Sequence, residues 1–121
     1  MVKKIKKIIC FDLDGVICRT EKNYYQKSKP NPIAIKKINS LFENGVYIKI
    51  FTARFMGRSN DNRVLAKKKG YTLTKNQLKL WKVKYHELIL GKPSYDLFVD
   101  DKSIFYNKNW VKKINYYLKK I

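Results

Sequence analysis

The run Ile8-Ile9-Cys10-Phe11-Asp12-Leu13-Asp14-Gly15 decides the fold, because an apolar segment ends there in two carboxylates and a glycine. A β-branched, nearly continuous apolar run is typical of a strand that is buried on both faces of a parallel sheet. Alternate residues of an extended backbone share a side, so Asp12 and Asp14 are expected to point the same way. Gly15 lets the chain turn sharply after them. The stretch therefore predicts a core strand that brings two acids to one edge of a sheet.

A second apolar run, Leu97-Phe98-Val99, also ends in two acids, Asp100 and Asp101. The chain has nine Asp and Glu residues against 28 Lys and Arg residues. Solubility does not explain why four of these scarce acids stand at the ends of two strands that look buried. Clustered carboxylates need a counter-charge, and a divalent cation is the natural one.

The 121 residues are expected to form one domain, residues 1–121, with enough apolar content for a core. The formal net charge of +19 has two interpretations. One is a polyanionic partner, such as nucleic acid or an anionic membrane surface. The other is compositional drift. The basic residues are mostly Lys, and Ile, Asn and Tyr are also abundant, and all four residue types are encoded by AT-rich codons. Drift is favoured, because a dedicated nucleic-acid surface more often carries Arg and Gly with exposed aromatics.

The sequence contains no signal for export or for a membrane span. The apolar part of the basic N-terminus is too short for a signal peptide, and no stretch approaches the ~20 apolar residues of a spanning helix. The two cysteines, Cys10 and Cys18, do not make the framework of a secreted disulfide protein, and Cys10 is expected in the buried first strand. A cytoplasmic protein without membrane contact is predicted.

Apolar periodicity and turn residues predict the remaining elements. Strands are expected at residues 5–12, 46–51, 86–90 and 97–99. Helices are expected from Pro32 to Asn44-Gly45, over 62–69 with a stop at Gly70, from a capping box at Thr74 and Gln77, and over 110–121. This order predicts an α/β sandwich with a mainly parallel sheet, in which ligands bind beyond the carboxyl ends of the strands.

Several residues at those strand ends have types that suit phosphate chemistry. Asp12 can act as a nucleophile and metal ligand, and Asp14 can give and take a proton. The Thr52 hydroxyl and the backbone N–H groups after it can hold a phosphate oxygen. The Lys92 ammonium can neutralise a carboxylate and a phosphate together, and Asp100-Asp101 could complete a Mg²⁺ site. Taken singly, each motif also fits an acidic turn, a strand-ending threonine or a lone lysine.

Together the motifs resemble those of the haloacid dehalogenase superfamily of phosphohydrolases, in the order of that family and across nearly the whole chain. The resemblance is carried by Asp-Leu-Asp-Gly-Val at 12–16, Phe-Thr-Ala-Arg at 51–54, Gly-Lys-Pro at 91–93 and Val-Asp-Asp-Lys at 99–102. More narrowly, segments 73–86 and 91–96 are similar to small stand-alone phosphatases linked to capsule or lipopolysaccharide sugar synthesis. The family likeness implies a three-layer, Rossmann-like sandwich.

The resemblance also implies a role for each residue. Asp12 would attack phosphorus and form an aspartyl-phosphate, while Asp14 would protonate the leaving oxygen and then activate water. An acid at position 14 points to phosphoryl transfer, because members that process carbon–halogen bonds lack it. The substrate phosphate would be bound by Thr52, Ala53 and Lys92. The Mg²⁺ ligands would be Asp12, the backbone carbonyl of Asp14 and Asp100, with Asp101 at or behind the metal.

The gaps between the motifs leave no room for the cap domain that many members insert. Residues 14–52 are used by one loop and one helix, and residues 52–92 by two short helices. A capless, open site admits bulky or polymeric substrates, or is covered by a neighbouring subunit in a homo-oligomer. The loops 20–30 and 54–62 flank the predicted site, and the candidates for gripping substrate on or near them are Arg54, Arg58, Arg63, Tyr24 and Tyr25. A solvated loop also explains these residues.

The sequence thus predicts a Mg²⁺-dependent phosphatase that acts on a small phosphate monoester, with a sugar phosphate as the favoured class. One alternative is a phosphatase for nucleic-acid ends or phosphoproteins, which the open site and the positive charge favour. Another is a catalytically idle, basic nucleic-acid-binding protein, which is disfavoured because all the catalytic positions are filled.

Overall fold

The computed structural model of the protein describes residues 7–119. The strands in this range are β1 (Ile8–Phe11), β2 (Cys18–Arg19), β3 (Lys29–Pro30), β4 (Tyr47–Thr52) and β5 (Glu87–Leu90). The helices are α1 (Pro32–Glu43), α2 (Arg63–Leu80) and α3 (Trp110–Leu118), and single 3₁₀ turns lie at Tyr25–Lys27 and Gly57–Ser59. Residues 5–6 of the predicted first strand and 120–121 of the predicted last helix lie outside the described residues.

The main sheet contains three strands in the order β1-β4-β5, and both neighbouring pairs are parallel. β2 and β3 form a separate antiparallel ribbon. The described part of the protein is therefore α/β with a mainly parallel sheet, as predicted. Within residues 7–119 we find no helix with the length and apolar character of a membrane span.

The core lies on the sheet face that carries Ile48 and Ile50, both of which are fully buried. Phe11 on β1 and Leu88 on β5 stand opposite Ile50, so they share this face. All three helices contribute to the same cluster, through Ile35, Ile38 and Leu41 of α1, Leu78 of α2, and Trp110 and Ile114 of α3. Burial of each such large side chain contributes roughly 1.5–3 kcal/mol, so this one cluster dominates the stability of the fold.

The opposite sheet face is polar and partly exposed. Cys10, Lys49 and Glu87 are register neighbours on it, and the Lys49 Nζ lies 3.7 Å from a Glu87 carboxylate oxygen. Cys10 is exposed, so its expected burial is wrong. Ile8 on the same face is also exposed. A three-layer sandwich is accordingly not confirmed, because the large cluster that all three helices share packs against the other face.

Helix α1 forms where its sequence signals place it. The Asn31 side chain caps it by accepting a hydrogen bond from the Ala34 N–H at 3.3 Å, and Pro32 occupies the first turn, where a missing N–H is tolerated. The helix ends at Glu43, directly before the predicted Asn44-Gly45 stop. These local signals agree with the buried apolar stripe of the helix, which is why the prediction for this element is confirmed.

Helix α2 is a single element of 18 residues, so the prediction of two short helices is wrong. Asn62 caps it by accepting from the Leu65 N–H at 3.1 Å. Gly70 lies inside the helix, and it does not end the helix as predicted. A Cβ at this position would come within 2.3 Å of the Phe55 ring, so glycine allows the ring to pack closely. Thr74 is buried, and its hydroxyl contacts a neighbouring side chain instead of capping the backbone. Gly70 and Thr74, which the sequence suggested as helix boundaries, are therefore interior residues of α2 that contact neighbouring side chains.

Residues 91–109 contain no helix or strand, and the predicted strand at 97–99 is wrong. Leu97 and Val99 are 79% and 89% exposed, so this apolar run does not reach the core. Local contacts organise the segment instead. The Phe98 ring lies 5.0 Å from the Tyr95 ring and 5.4 Å from the Lys92 Nζ.

Candidate active site

The candidate site lies at the edge of the sheet where the carboxyl ends of β1, β4 and β5 meet. Asp12 follows β1 directly, Thr52 is the last residue of β4, and Lys92 comes two residues after the end of β5. The backbone N–H groups of Gly91 and Lys92 both donate to the Thr52 carbonyl oxygen, each at 3.2 Å. The parallel register thereby fixes three sequence-distant residues at one edge.

Asp12 and Lys92 form an ion pair at this edge. The Lys92 Nζ lies 3.7 Å from the Asp12 Oδ1, and the Leu13 N–H donates to the same oxygen at 2.8 Å. Burial nevertheless raises the pKa of Asp12, since it outweighs the opposing effects of Lys92 and of the Leu13 N–H. The carboxylate charge is thus only partly compensated by the protein, and a further cation beside it would be stabilised.

Lys92 remains a cation although its side chain is only 12% exposed. Burial lowers its pKa, but the hydrogen bond to Tyr95 and the charge of Asp12 together outweigh burial, so the pKa of Lys92 is raised overall. The Tyr95 and Phe98 rings lie 5.3 Å and 5.4 Å from the Nζ and add a favourable cation–π contribution. An ammonium group therefore stands ready beside Asp12.

Asp14 is held by a buried arginine from the loop after β4. Arg54 is 1% exposed and donates from its Nε to Asp14 Oδ2 and from its Nη2 to Asp14 Oδ1, both at 3.0 Å. This bidentate geometry is the strong form of an arginine–carboxylate pair, and it fixes the orientation of the carboxylate. The Asp14 side chain remains 27% exposed, so it is accessible from solvent on its other side.

A polar network surrounds this pair and explains why the arginine can be buried. The Arg54 guanidinium also donates to the Gln77 Oε1 at 2.5 Å, to the Thr74 hydroxyl at 3.4 Å and to the Ser28 hydroxyl at 3.1 Å. Buried charges are tolerated when they are paired and hydrogen-bonded, and each of these bonds contributes to that condition. Arg54 is accordingly a positioning residue for Asp14.

Two short side chains complete the surroundings of Asp14. The Thr20 hydroxyl donates to Asp14 Oδ1 at 2.5 Å, and the Cys18 thiol donates to the same oxygen at 3.4 Å. Burial raises the pKa of Cys18 to about 11, and the charge of Asp14 acts in the same direction. Cys18 is therefore a neutral thiol at physiological pH and serves as a weak hydrogen-bond donor.

Thr52 is buried, and its hydroxyl accepts a hydrogen bond from the Arg54 N–H at 3.1 Å. This bond tightens the backbone at residues 52–54 and sets the path along which Ala53 and Arg54 reach the cavity. The threonine thus shapes the loop in addition to any contact with a ligand.

A cavity of about 360 Å³ opens at this edge. Its walls include the predicted site residues Asp12, Asp14, Thr52, Ala53, Arg54 and Arg58. They also include Tyr25, which the sequence offered as a substrate contact, and residues that the sequence did not single out, namely Thr20, Lys22, Asn23, Gly57 and Ser94. For Thr20, Lys22, Asn23 and Gly57 the sequence signal is the polar character of residues 20–30 and 55–62, which indicates loops and does not indicate which side chains face inward. Ser94 lies outside both loops.

Asp100 and Asp101 are exposed and are not among the residues that line the cavity. The Asp100 carboxylate accepts from the Lys102 N–H at 2.8 Å, and its carbonyl accepts from the Ser103 hydroxyl at 3.1 Å. Across residues 7–119, no three or more His, Cys, Asp or Glu side chains are grouped closely enough to hold a metal ion. The structure thus brings Asp12 and Asp14 together with Lys92, and does not bring Asp100 to them.

No family model matches the chain, and no curated protein matches it. Among solved structures, a target protein from Vibrio cholerae is similar, with a TM-score of 0.76 and 21% identity over 93% of this chain and 98% of that one. A chain of the Pnkp1/Rnl/Hen1 complex has a TM-score of 0.54 and 17% identity, and the match covers 96% of this chain and 34% of that one. Similarity at these identities establishes a shared fold.

Proposed function

We propose that this protein is a Mg²⁺-dependent phosphatase that hydrolyses a phosphate monoester through an aspartyl-phosphate on Asp12. The observation that carries the proposal is the unequal environment of two neighbouring carboxylates in one cavity. Asp12 lies beside an ammonium group and retains room for a ligand, whereas Asp14 is clamped by a buried guanidinium. Two acids with different surroundings are the usual basis for separate nucleophilic and proton-transfer roles.

The proposed reaction has two steps. In the first, an Asp12 oxygen attacks phosphorus, the bond to the leaving oxygen breaks, and Asp14 gives its proton to that oxygen. In the second, Asp14 takes a proton from a water molecule, the water oxygen attacks the aspartyl-phosphate, and phosphate leaves. The proton gained in the second step serves the next leaving group, so the cycle balances. Arg54 would keep Asp14 aimed at the reacting oxygens throughout.

Thr52, Ala53 and Lys92 are the proposed phosphate-binding residues. Lys92 supplies a positive charge next to Asp12, and the backbone at Ala53 lines the cavity beside it. A phosphate dianion and a carboxylate repel each other, so a fixed cation between them lowers the barrier to their approach. The loop that carries Thr52 and Ala53 is held by the hydrogen bond from Arg54.

The residues at this edge fit Mg²⁺ in part. Mg²⁺ prefers oxygen ligands and usually takes one or two carboxylates together with waters and substrate phosphate. Asp12 fits because burial leaves its carboxylate in need of a cation. The proposed ligand set also includes the backbone carbonyl of Asp14 and Asp100, with Asp101 at or behind the metal. Asp100 and Asp101 do not fit as they stand, because the described structure does not bring them to Asp12. When bound, Mg²⁺ would offset the repulsion between the nucleophile and the phosphate.

The assignment to the haloacid dehalogenase superfamily, as a capless member with a three-layer core, is part of this proposal. So are a cytoplasmic location, a sugar phosphate as substrate and a homo-oligomer that covers the site. A phosphatase for nucleic-acid ends is the second candidate, because the net charge of +19 favours polyanions. Comparison of a sugar phosphate with a 3′-phosphorylated oligonucleotide distinguishes the two.

Substitution of the nucleophile tests the proposed function. Asp12→Asn should lower hydrolysis of p-nitrophenyl phosphate by about 10³-fold or more, since an amide is a poor nucleophile. EDTA should abolish wild-type turnover, and added Mg²⁺ should restore it. Asp96→Asn, which changes an exposed acid in the segment after Lys92, is the matched control and should keep wild-type rates. Near-normal turnover by a correctly folded Asp12→Asn protein would refute the assignment.

A further inference from the structure

Both acids at the cavity have a cationic side chain of the protein beside them. Asp12 is paired with Lys92, and Asp14 is paired with Arg54. Each carboxylate therefore has one cationic partner. A cation that lines the cavity and pairs with neither acid is available to interact with a ligand.

Two such cations stand at the rim, Lys22 and Arg58. Within residues 7–119, neither side chain has a carboxylate in ion-pair range, although Arg19, Lys49, Lys84, Lys92 and Arg54 all do. An unpaired cation at the rim of a cavity increases the local concentration of anions and stabilises one that binds there.

Arg58 is held in place before any ligand binds. Its guanidinium lies 5.1 Å from the centre of the Tyr25 ring and 5.1 Å from the centre of the Phe55 ring. Its Nη2 also donates to the Asn23 carbonyl oxygen, which belongs to the loop between β2 and β3. Aromatic contacts and a backbone bond restrict the rotamers of the side chain, so less entropy is lost when it contacts a ligand.

The two loops that carry Lys22 and Arg58 contain residues with positive φ. Lys22 has φ +47°, and the loop of Arg58 contains Phe55 at +66°, Asn60 at +50° and Asp61 at +58°. This conformation costs roughly 1–2 kcal/mol for Lys22 and Phe55, whereas Asn and Asp adopt it more readily. Such local strain is typical of functional sites, and here it occurs on the two loops that carry the rim cations.

We propose that Lys22 and Arg58 bind a second anionic group, carried by the leaving part of the substrate. This inference rests on the proposed phosphatase function, because it takes the reacting phosphate to lie over Asp12. The preferred substrate is then a small phosphate monoester with a carboxylate or a second phosphate a few bonds from the ester oxygen. The cavity of about 360 Å³ is at the lower end of the range for small-molecule sites, which suits such a compound.

Two matched pairs of substrates test the proposal. In 3-phosphoglycerate and glycerol 3-phosphate, a carboxylate replaces a hydroxymethyl group on the same skeleton, and fructose 1,6-bisphosphate and fructose 1-phosphate differ by one phosphate. The wild type should show a kcat/KM at least about tenfold higher for the doubly anionic member of one pair or both. Preference within the first pair alone identifies the second anionic group as a carboxylate. Preference within the second pair alone identifies it as a phosphate.

Variants of equal net charge separate the rim from the general positive field. Arg58→Gln and Lys22→Gln should each lower the selectivity ratio severalfold. Arg19→Gln removes one positive charge from an exposed residue that is paired with Glu21, and it should keep the ratio of the wild type. A wild-type ratio near one, or a ratio that Arg58→Gln and Arg19→Gln change equally, would overturn the proposal.

A binding measurement keeps this inference distinct from the proposed reaction. Calorimetry with the Asp12→Asn protein should show tighter binding of 3-phosphoglycerate or fructose 1,6-bisphosphate than of its singly anionic partner. If the wild type hydrolyses p-nitrophenyl phosphate but shows no preference in either assay, the rim assignment fails alone. If no ester is hydrolysed, the phosphatase proposal fails, and equal binding of both pairs would then also reject the anion site.

Discussion

Arg54 shows how burial changes the interpretation of a single residue. An arginine directly after a strand in a polar loop has the sequence context of a substrate-binding side chain. In the structure it is 1% exposed, and its donors are directed to Asp14, Thr74, Gln77 and Ser28. The position along the chain predicted its place at the site, but its partners lie 40 and 26 residues before it and 20 and 23 residues after it. Such distant contacts carry no local sequence signal.

We predict that Arg54→Gln weakens both stability and activity. The substitution leaves the Asp14 carboxylate and the Gln77 amide without their partner, and breaking a buried pair in this way lowers the free energy of unfolding by about 3–5 kcal/mol. Urea denaturation measures this loss, and kcat for p-nitrophenyl phosphate should fall as Asp14 loses its orientation. Arg19→Gln, at an exposed position, should change the unfolding free energy by less than about 0.5 kcal/mol. Equal effects of the two variants would contradict the network.

Arg54→Lys refines this test. Lysine keeps the positive charge but cannot form two parallel bonds to a carboxylate. We expect it to recover part of the unfolding free energy and little of the kcat, because charge alone does not fix the direction of Asp14. Full recovery of kcat would show that the charge of Arg54 matters and its geometry does not.

Asp12 provides a prediction about pH. Burial raises its pKa above the ordinary value of 3.8, so the folded protein binds this proton more tightly than the unfolded chain does. The stability that comes from protonated Asp12 is therefore present at low pH and is lost as pH rises through the raised pKa of the folded state. Asparagine does not ionise. In EDTA, the unfolding temperature of Asp12→Asn relative to the wild type should increase between about pH 3.5 and about pH 7.

Thermal unfolding followed by circular dichroism at the two pH values measures this difference. The other carboxylates are common to both proteins, so their titration cancels when the wild type is subtracted. A relative unfolding temperature that decreases with pH would mean that the attraction of Lys92 for the Asp12 carboxylate outweighs burial.

At the scale of elements, local signals predicted the structure wherever they agreed with burial. Helix α1 has a capping asparagine, a first-turn proline and an apolar stripe that all indicate the same element. Strands β1, β4 and β5 are apolar runs whose parallel pairing brings Asp12, Thr52 and Lys92 to one edge. The arrangement of these three residues could therefore be predicted from sequence patterns alone.

The predictions that failed depended on residues whose local sequence pattern fits two different structures. Thr74 and Gln77 have the spacing of a capping box, but this spacing also places two side chains on one face of a continuous helix, where both bind Arg54. Gly70 looks like a helix stop, but it allows the Phe55 ring to approach. The run 97–99 is apolar, but it lies exposed beside Lys92 and Tyr95. Only tertiary contacts distinguish these meanings.

Gly70→Ala tests the packing interpretation of α2. In an exposed helix interior, alanine is more favourable than glycine by about 1 kcal/mol. Here the added Cβ would lie 2.3 Å from the Phe55 Cδ2, so the substitution should destabilise the protein by about 1–3 kcal/mol. Asn76→Ala, at an exposed position of the same helix, is the control and should stabilise slightly. Denaturant unfolding compares them, and a stabilising Gly70→Ala would contradict the close contact.

Relief of the clash provides a second control. Adding Phe55→Leu to Gly70→Ala removes ring atoms at the contact, so the double variant should be more stable than the sum of the two single changes predicts. Simple additivity would place the cause of any destabilisation elsewhere in the helix.

At the scale of the whole molecule, the net charge of +19 acts on every anionic ligand. A positive field attracts a phosphate ester from a distance and increases its rate of encounter with the cavity. The same field attracts nucleic acid, so charge alone does not distinguish a phosphatase for small esters from one for nucleic-acid ends. The dependence on salt does, because a polymer that releases many counterions responds far more steeply than a single dianion.

We predict that kcat/KM for p-nitrophenyl phosphate falls about threefold or more between about 20 and 300 mM NaCl, because salt screens charges over roughly 10 Å at 0.1 M. The kcat should stay constant at saturating Mg²⁺, since the paired charges of Asp12, Lys92, Asp14 and Arg54 are in contact and poorly screened. Steady-state kinetics over this salt range measures both. A fall in kcat with constant KM would contradict the role of the field.

A 3′-phosphorylated oligonucleotide that remains the better substrate at 150 mM salt, despite its steeper decline, would establish the nucleic-acid alternative.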